Sequence, residues 1–453
     1  MFDLLVLGGG PGGYLAAERA AAGGLNVALF EQRNLGGVCL NEGCIPTKTL
    51  LNAAKYYDHA SHGQTFGVSV SGVGFDHEKV IARKNAVVGT LVAGVTAKLR
   101  KNNITVINSL GVVRDKTPGG ITVCANGESY TGKNLIIATG SKPAIPPITG
   151  AREGLESGYV LTSREILELL EPPEHLVIIG GGVIGLEIAC YFQTVGSNVT
   201  VIEAASKIGG STDDEIAAIL QRELEKKGID FRLKALVHRI ESESVHYEQG
   251  GKVQKIRAQK VLLCTGRTPN TDDAELYRAG IFTENGAVVT DEHLRTNIPG
   301  IYAVGDVNGR YMLAHTAYRE AEVAVNHILG KRDYMRYSAI PSVIYTFPEA
   351  AGVGHTEQTA EMAGIEVDIA RVPGLYSGRF AAETGGEEGL CKLVVERQSR
   401  RILGVHLISP YAGEIIYGAA LMVEMQLRVE EARELVFPHP AVSELIREGL
   451  FMI

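Results

Sequence analysis

The stretch DLLVLGGGPGGYLAAERAAAGGLNVALFEQ, residues 3–32, decides the fold. Leu4 to Leu7 form a short apolar run of the kind buried in a sheet. Tyr14 to Ala22 is alanine-rich and helical, and Val27 to Phe30 is a second apolar run closed by Glu31. Between run and helix, Gly8, Gly10 and Gly13 satisfy G-x-G-x-x-G around Pro11 and Gly12, with the acid 18 residues after the last glycine. In that context the glycines let backbone approach a pyrophosphate, whose charge sits on the helix N-terminus.

The pattern recurs in LVIIGGGVIGLEIACYFQTVGSNVTVIE, residues 176–203. Here Gly180, Gly182 and Gly185 enclose Val183 and Ile184, and Glu203 stands at the same 18-residue offset. Two complete units predict two dinucleotides. Glu31 and Glu203 are placed to accept ribose hydroxyls, and a carboxylate at 203 repels a 2′-phosphate, so the second site prefers NAD over NADP. One dinucleotide held throughout and one that exchanges suggest a flavin and a nicotinamide.

A chain of 453 residues accommodates about three domains. Hydrophobic content of 45%, charged content of 21% and 54 glycines fit a globular protein rich in tight turns, and a net charge of −8 argues against a basic nucleic-acid face. The N-terminus lacks a basic n-region and meets glycine too early for a signal peptide. No segment carries the ~20 uncharged apolar residues of a membrane span. A cytoplasmic location is expected, where a lasting structural disulfide is rare.

The proline-rich SKPAIPPITG, residues 141–150, reads as a linker, and the second unit ends near CTGRTPN, residues 264–270. PGIYAVGDVNG, residues 299–309, is a strand ending in Gly305–Asp306, a turn able to aim a carboxylate at a ligand. Beyond residues 331–341, alternating VDIARV and CKLVVE and helical EIIYGAALMVEMQL predict a third domain of α+β type. The fold class is α/β: two Rossmann-like dinucleotide-binding domains and a C-terminal α+β domain.

GGVCLNEGCIPTK, residues 36–48, holds Cys39 and Cys44. A zinc site needs about four ligands, and no second Cys/His cluster stands nearby, so no metal is expected. Unrelated buried cysteines describe Cys124, Cys190, Cys264 and Cys391, each in an apolar run, better than this punctuated segment. Five residues of regular helix separate Cα atoms by ~7.5 Å along the axis. A disulfide needs less than about 7 Å. Bridging therefore requires a distorted turn, which Gly43 permits, and regular helix is expected only beyond Pro46. A disulfide strained in this way is of the labile kind.

The chain resembles the disulfide-reducing flavoprotein oxidoreductases, and among them the dihydrolipoamide dehydrogenases, over essentially its whole length. GGGPGGYLAA, GGVCLNEGCIPTK, IIATGS, GGGVIGLEIA, CTGRTPN, GIYAVGD, IPSVIYTFPE and HPAVSE occur in family order. The resemblance implies FAD bound by residues 1–145 and 265–337, NAD by 146–264, and homodimerisation through 338–453. FAD contacts would come from Gly8, Gly10, Pro11, Gly12, Gly13, Glu31, Gln32, Gly37, Val38, the two cysteines, Lys48, Gly111, Ala138, Thr139 and Gly140. Further contacts fall at Gly305, Asp306 (to the ribityl chain), Met312, Leu313, Ala314 and His315, although His315 reads equally as a helix-start polar group. Gly266 and Arg267 resemble a nicotinamide-side contact; a structural salt bridge fits Arg267 as well.

By the same resemblance Cys39 is the interchange thiol and Cys44 the thiol against the flavin. Lys48 serves the flavin ring with Glu187 as its partner, against the alternative of two solvated surface charges. His439, oriented by Glu444, is the base from the other subunit, and the remaining histidines, such as His59, His62 and His77, are loop bystanders. The implied reaction is reoxidation of dihydrolipoamide with NAD+. The dihydrolipoamide arrives on a lipoyl-bearing protein of a 2-oxoacid dehydrogenase, glycine-cleavage or acetoin-cleaving complex. Glutathione-type and mercuric reductases are the rivals within the family, and a non-catalytic FAD/NAD redox sensor is the rival outside it. Departures from the family pattern are Gln32, Val38, Phe437 and Glu42, the last lying between the cysteines where valine is frequent.

Overall fold

A computed structural model describes residues 1–453, which form two units. The first comprises Met1–Thr49, Ala82–Ala144 and Gly266–Arg336; the second comprises Leu50–Ile81, Ile145–Thr265 and Tyr337–Ile453.

In the first unit, β1 (Phe2–Leu7) leads through α1 (Pro11–Ala22) to β2 (Val27–Phe30), parallel to β1 with Leu4 opposite Val27. Then come α2 (Gly37–Glu42), α3 (Cys44–Ser61, from Leu50 onward in the second unit), α4 (His77–Lys101, up to Ile81 in the second unit), β3 (Thr105–Ile107), β4 (Val112–Thr117), β5 (Gly120–Ala125) and β6 (Glu128–Ile137). The sheet order is β3-β2-β1-β6-β5-β4, with the strand Ile301–Ala303 added parallel to β6. Leu4, Leu5, Val6, Leu7 and all of β2 are buried, as continuous apolar runs require in strands covered on both faces. The glycine turn after β1 therefore opens at the carboxyl end of a central strand, where α/β sheets bind ligands.

The second unit contains a five-stranded parallel sheet in the order Asp230–Leu233, Asn198–Glu203, His175–Ile179, Lys260–Leu263, Val160–Leu161. It also contains a three-stranded antiparallel ribbon over 235–257. Residues 342–409 supply a five-stranded antiparallel sheet, covered by the helices Ala412–Glu424 and Glu444–Met452. VDIARV and CKLVVE are adjacent strands of it, as their alternation implies.

Several local expectations are corrected. Regular helix begins at Cys44 rather than beyond Pro46, because a proline in the first helical turn forfeits no intrahelical bond. The start of the supposed linker, Ser141–Pro143, is a strand antiparallel to Arg267–Pro269. His59 lies within α3, and His77 is no loop bystander: it opens α4, is buried, and its Nδ1 is 2.9 Å from the Tyr191 hydroxyl. Helix α4 is long and apolar enough by length and composition to cross a bilayer, yet its uncharged run covers only residues 85–97, in keeping with the expectation that no segment carries ~20 uncharged apolar residues.

The sheet over 342–409 is tied to the helix Asp214–Lys226 by a buried ion cluster. Lys392 and Asp213 are both fully buried, with Nζ 3.0 Å from Asp213 Oδ2 and 2.9 Å from both Glu215 and Glu357. Asp213 also caps that helix, accepting the Glu215 and Ile216 N–H groups. Lys392→Met leaves a carboxylate buried without its cation and is expected to destabilise the protein by about 3–5 kcal/mol, read as a lowered denaturant midpoint. The Asp213→Asn/Lys392→Met double variant should recover part of that loss. The Arg371 guanidinium draws the Glu215 carboxyl down to about 2, so its contribution is complete above its ordinary value and is lost as pH falls towards 2.

Candidate active site

The two glycine turns are built alike. Gly8 and Gly180 have φ of 99° and 108°, and a Cβ at either would collide with a carbonyl of the neighbouring strand's end, Ala138 or Cys264. A Cβ at Gly13 or Gly185 would collide with the Gly8 or Gly180 oxygen. Helix α1 starts at Gly10 and the helix Val183–Thr194 at Gly182, neither with a side-chain cap. Each thus leaves its first N–H groups to an anion. The acids hold the turns: Glu31 Oε2 accepts the Gly9 N–H at 2.8 Å, and Glu203 Oε2 accepts the Gly181 N–H at 2.6 Å. Their second oxygens accept the N–H of Arg33 and Ala205. A carboxylate has further lone pairs, so ribose contacts stay available. Space that admits no Cβ and helix ends that lack caps fit a bound pyrophosphate at both turns.

The dithiol segment sits on the first turn. The Gly36 N–H donates to Gly9 O at 2.8 Å, and Gly37, at φ 57°, packs so closely that a Cβ there would lie 2.6 Å from Gly10 Cα. Val38 and Cys39 follow on α2, and Asn41 Nδ2 donates to Gly37 O within that helix at 2.8 Å and to Leu35 O before it at 3.1 Å. The chain breaks at Gly43 (φ −151°, ψ −102°) before Cys44 starts α3, and this break brings the thiols within hydrogen-bonding reach. Both are free thiols. The hydrogen bond to Cys44, followed by burial, pushes the Cys39 thiol well up, and the two thiols titrate as a pair. Lys48 lies one helical turn beyond Cys44 in the same unit and lowers the Cys39 thiol. Burial pushes Cys190, Cys264 and Cys391 up to about 12, which suits inert packing groups.

Around the dithiol stands a polar frame. Asp306 lies in the turn Gly305–Asn308, where its Oδ2 accepts the Ser141 hydroxyl at 2.5 Å. Arg267 donates to Ser141 Oγ at 2.7 Å and to Ser141 O at 2.8 Å, with Nε 3.8 Å from Asp306. Arg267 thus has structural partners within the first unit, beside Gly266 (φ 111°). Thr139 Oγ1 donates to Asn270 O at 2.6 Å, the Asn270 N–H donates to Gly140 O, and Ala138 donates to Leu7 O. Gly111 packs on Leu7 and Phe30, leaving no room for a side chain. Met312 and Leu313 precede the helix Ala314–Ile328, with Leu313 at its N-cap and His315 in its first turn. Sequence reasoning missed Ser141, Asn270 and Glu320. The last is a fully buried carboxylate accepting the Gly305 N–H (2.6 Å) and the Asn308 amide (2.9 Å), so it holds the Asp306 turn. An acid placed mid-helix three residues after Ala317 was the available signal.

In the second unit, His439 Nδ1 is 2.8 Å from Glu444 Oε1, and Glu444 Oε2 accepts the Ala441 N–H at 2.9 Å. That amide and His439 hold the Glu444 carboxyl below its ordinary value. The imidazole is 78% exposed, so Nε2 is free to meet a reactant. Glu187, on the helix Val183–Thr194, is buried and accepts the Tyr345 N–H at 3.0 Å, which excludes a solvated surface role.

Two dinucleotide turns, one carrying a dithiol, define a pyridine-nucleotide-linked dithiol–disulfide oxidoreductase. The chain belongs to the pyridine nucleotide-disulphide oxidoreductase family, whose description matches residues 2–321, with the family's dimerisation domain at 340–449. It is 37% identical to dihydrolipoyl dehydrogenase of Chlamydia muridarum, covering 100% of this chain and 96% of that one. Identity is also 37% with the dihydrolipoyl dehydrogenase of Geobacillus stearothermophilus, covering 99% and 95%. Among solved structures, LpdA from Mycobacterium tuberculosis superposes with a TM-score of 0.91 at 25% identity, covering 100% of this chain and 99% of that one. The HOCl-induced flavoprotein disulfide reductase RclA from Escherichia coli gives 0.87 at 29%, covering 100% of both.

Proposed function

We infer that the protein is a dihydrolipoyl dehydrogenase, converting dihydrolipoamide and NAD+ to lipoamide, NADH and a proton, with FAD as resident cofactor. The observation that carries this is the hydrogen-bonded Cys39–Cys44 pair seated on the first uncapped glycine turn. The full-length dihydrolipoyl dehydrogenase relatives agree with it. FAD, when bound, supplies the two-electron relay between dithiol and nicotinamide. Residues 1–145 and 265–337 hold it, through Gly8 to Gly13, Glu31 and Asp306. Residues 146–264 hold NAD, through Gly180 to Gly185 and Glu203, and residues 338–453 form the homodimer interface.

The chain's own groups divide the work by their geometry. His439 Nε2 takes the proton from the attacking substrate thiol, and Glu444 fixes the ring by its hydrogen bond to Nδ1. Cys39 exchanges with the substrate sulfur. Cys44, at the start of α3, is by the family resemblance the thiol against the flavin, and the helix N-terminus favours its thiolate. The partner is a lipoyl-bearing protein of a 2-oxoacid dehydrogenase-type complex, with glycine-cleavage and acetoin-cleaving complexes as the narrower alternatives, and the expected compartment is the cytoplasm.

The test is NADH formation by purified holoprotein from dihydrolipoamide and NAD+. Reduction of artificial acceptors alone would overturn the assignment, and faster turnover with NADPH and a disulfide substrate would favour a glutathione-type reductase. Coenzyme choice is checked separately: the wild type should use NADH at least ~100-fold better than NADPH by kcat/KM, because Glu203 repels a 2′-phosphate. Glu203→Gln should narrow that ratio about tenfold.

A further inference from the structure

His439 and Glu444 stand on a turn that is bonded mainly to itself. The Ala441 N–H donates to Glu444 Oε2 at 2.9 Å, and the Glu444 N–H donates back to Ala441 O at 3.3 Å. The one hydrogen bond that reaches residues 437–443 from elsewhere in the chain comes from the Ser377 hydroxyl, 3.1 Å from Ala441 O. Ser377 is fully buried at the start of the short helix Gly378–Glu383, and its Oγ accepts the Phe380 N–H at 3.2 Å. An amide only donates, so the hydroxyl proton is left for the Ala441 carbonyl and the direction of that bond is fixed.

The element that carries Ser377 is itself held. Phe380 is buried, and a Cβ at Gly374 or Gly389 would collide with its ring. The Ser377 N–H donates to Gly374 O at 3.0 Å, and the Gly374 N–H donates to Gly389 O at 2.8 Å. Between the helix and Pro440 lies an open cleft lined by Gly378, Arg379, Ala382 and Glu383. Packing from this side therefore does not steady the histidine; the hydrogen bond does.

We propose that Ser377 is a positioning residue for the acid–base step, holding the His439 imidazole at its working angle through Ala441 and Glu444. This rests on the reading of His439 as the base. Ser377 touches neither the imidazole nor the substrate. Both polar groups of Ala441 are engaged, its carbonyl by Ser377 and its N–H by Glu444, so a shift of Ala441 moves the carboxylate and with it the ring. A small misplacement of a proton-transferring group costs rate out of proportion to the bond lost.

Ser377→Ala removes the donor with little change of size, and Ala441 O keeps the Glu444 N–H. The measurements are kcat, KM and the pH profile of dihydrolipoamide oxidation by NAD+ with purified holoenzyme. The variant's kcat is expected to fall about 10- to 100-fold, with KM within about twofold of wild type. The loss should shrink as pH rises, since a thiolate substrate needs no base. The decisive comparison is the double variant Ser377→Ala/His439→Gln, which should be no slower than His439→Gln alone, because Ser377 acts only through that ring. Losses that multiply in the double variant, flavin lost together with activity, or a wild-type kcat in Ser377→Ala would each overturn the proposal. A wild type that turns over no dihydrolipoamide would instead sink the functional reading, so the two failures are distinguishable.

Discussion

Cys44→Ser should abolish turnover of dihydrolipoamide with NAD+, by at least about 1,000-fold, while NADH oxidation by artificial acceptors persists. A hydroxyl cannot close a disulfide with Cys39, so electrons that reach Cys39 from the substrate have no route onward. Serine is close in size to cysteine and Thr47 still bonds Gly43 O through N–H and hydroxyl, so the start of α3 survives. Flavin content and the thermal midpoint should accordingly stay near those of the wild type. Loss of flavin together with activity would mean that Cys44 is structural and the electron route lies elsewhere.

His439→Gln should cost about 100- to 10,000-fold in kcat with dihydrolipoamide, the range that a positioned acid–base group contributes. Glutamine can still accept a hydrogen bond but cannot carry the proton. The loss should shrink as pH rises towards the thiol's own ionisation near pH 8.5, since a thiolate substrate needs no base. A loss independent of pH would assign His439 to binding instead. Because His439 lies exposed at the surface of its own chain, the base is expected to act on the partner's dithiol. Co-expressed Cys44→Ser and His439→Gln subunits should then recover about a quarter of wild-type activity. Half of randomly assorted dimers are mixed, and each mixed dimer has one intact site of two.

Much of this was legible in residue order because it depends on local geometry. The two turns could be read at glycine resolution: only a residue without Cβ passes Ala138 O and Cys264 O, and that demand leaves its mark at fixed spacing. Cys39 and Cys44 stood out for the same reason, since Gly43 between them announces a break in the helix. Pro46 does not delay α3, because the first helical turn tolerates proline, and His77 packs in a buried aromatic cluster with Tyr191 and Phe192 that only long-range contacts create.

Residue order alone determined the strand–turn–helix units, the acids that close them, the dithiol and the acid-oriented histidine, each written within some 30 residues of chain. Tertiary structure decided what only long-range contacts create. It joined Arg267 to Ser141 and Asp306, and made Glu320 the hidden support of the Asp306 turn. It sank Lys392 among three carboxylates, and it gave Glu42 its partner Arg33. The reason is electrostatic: a charge has no periodicity to betray its partner, and what it does depends on which other charges folding carries to it through a low-dielectric interior.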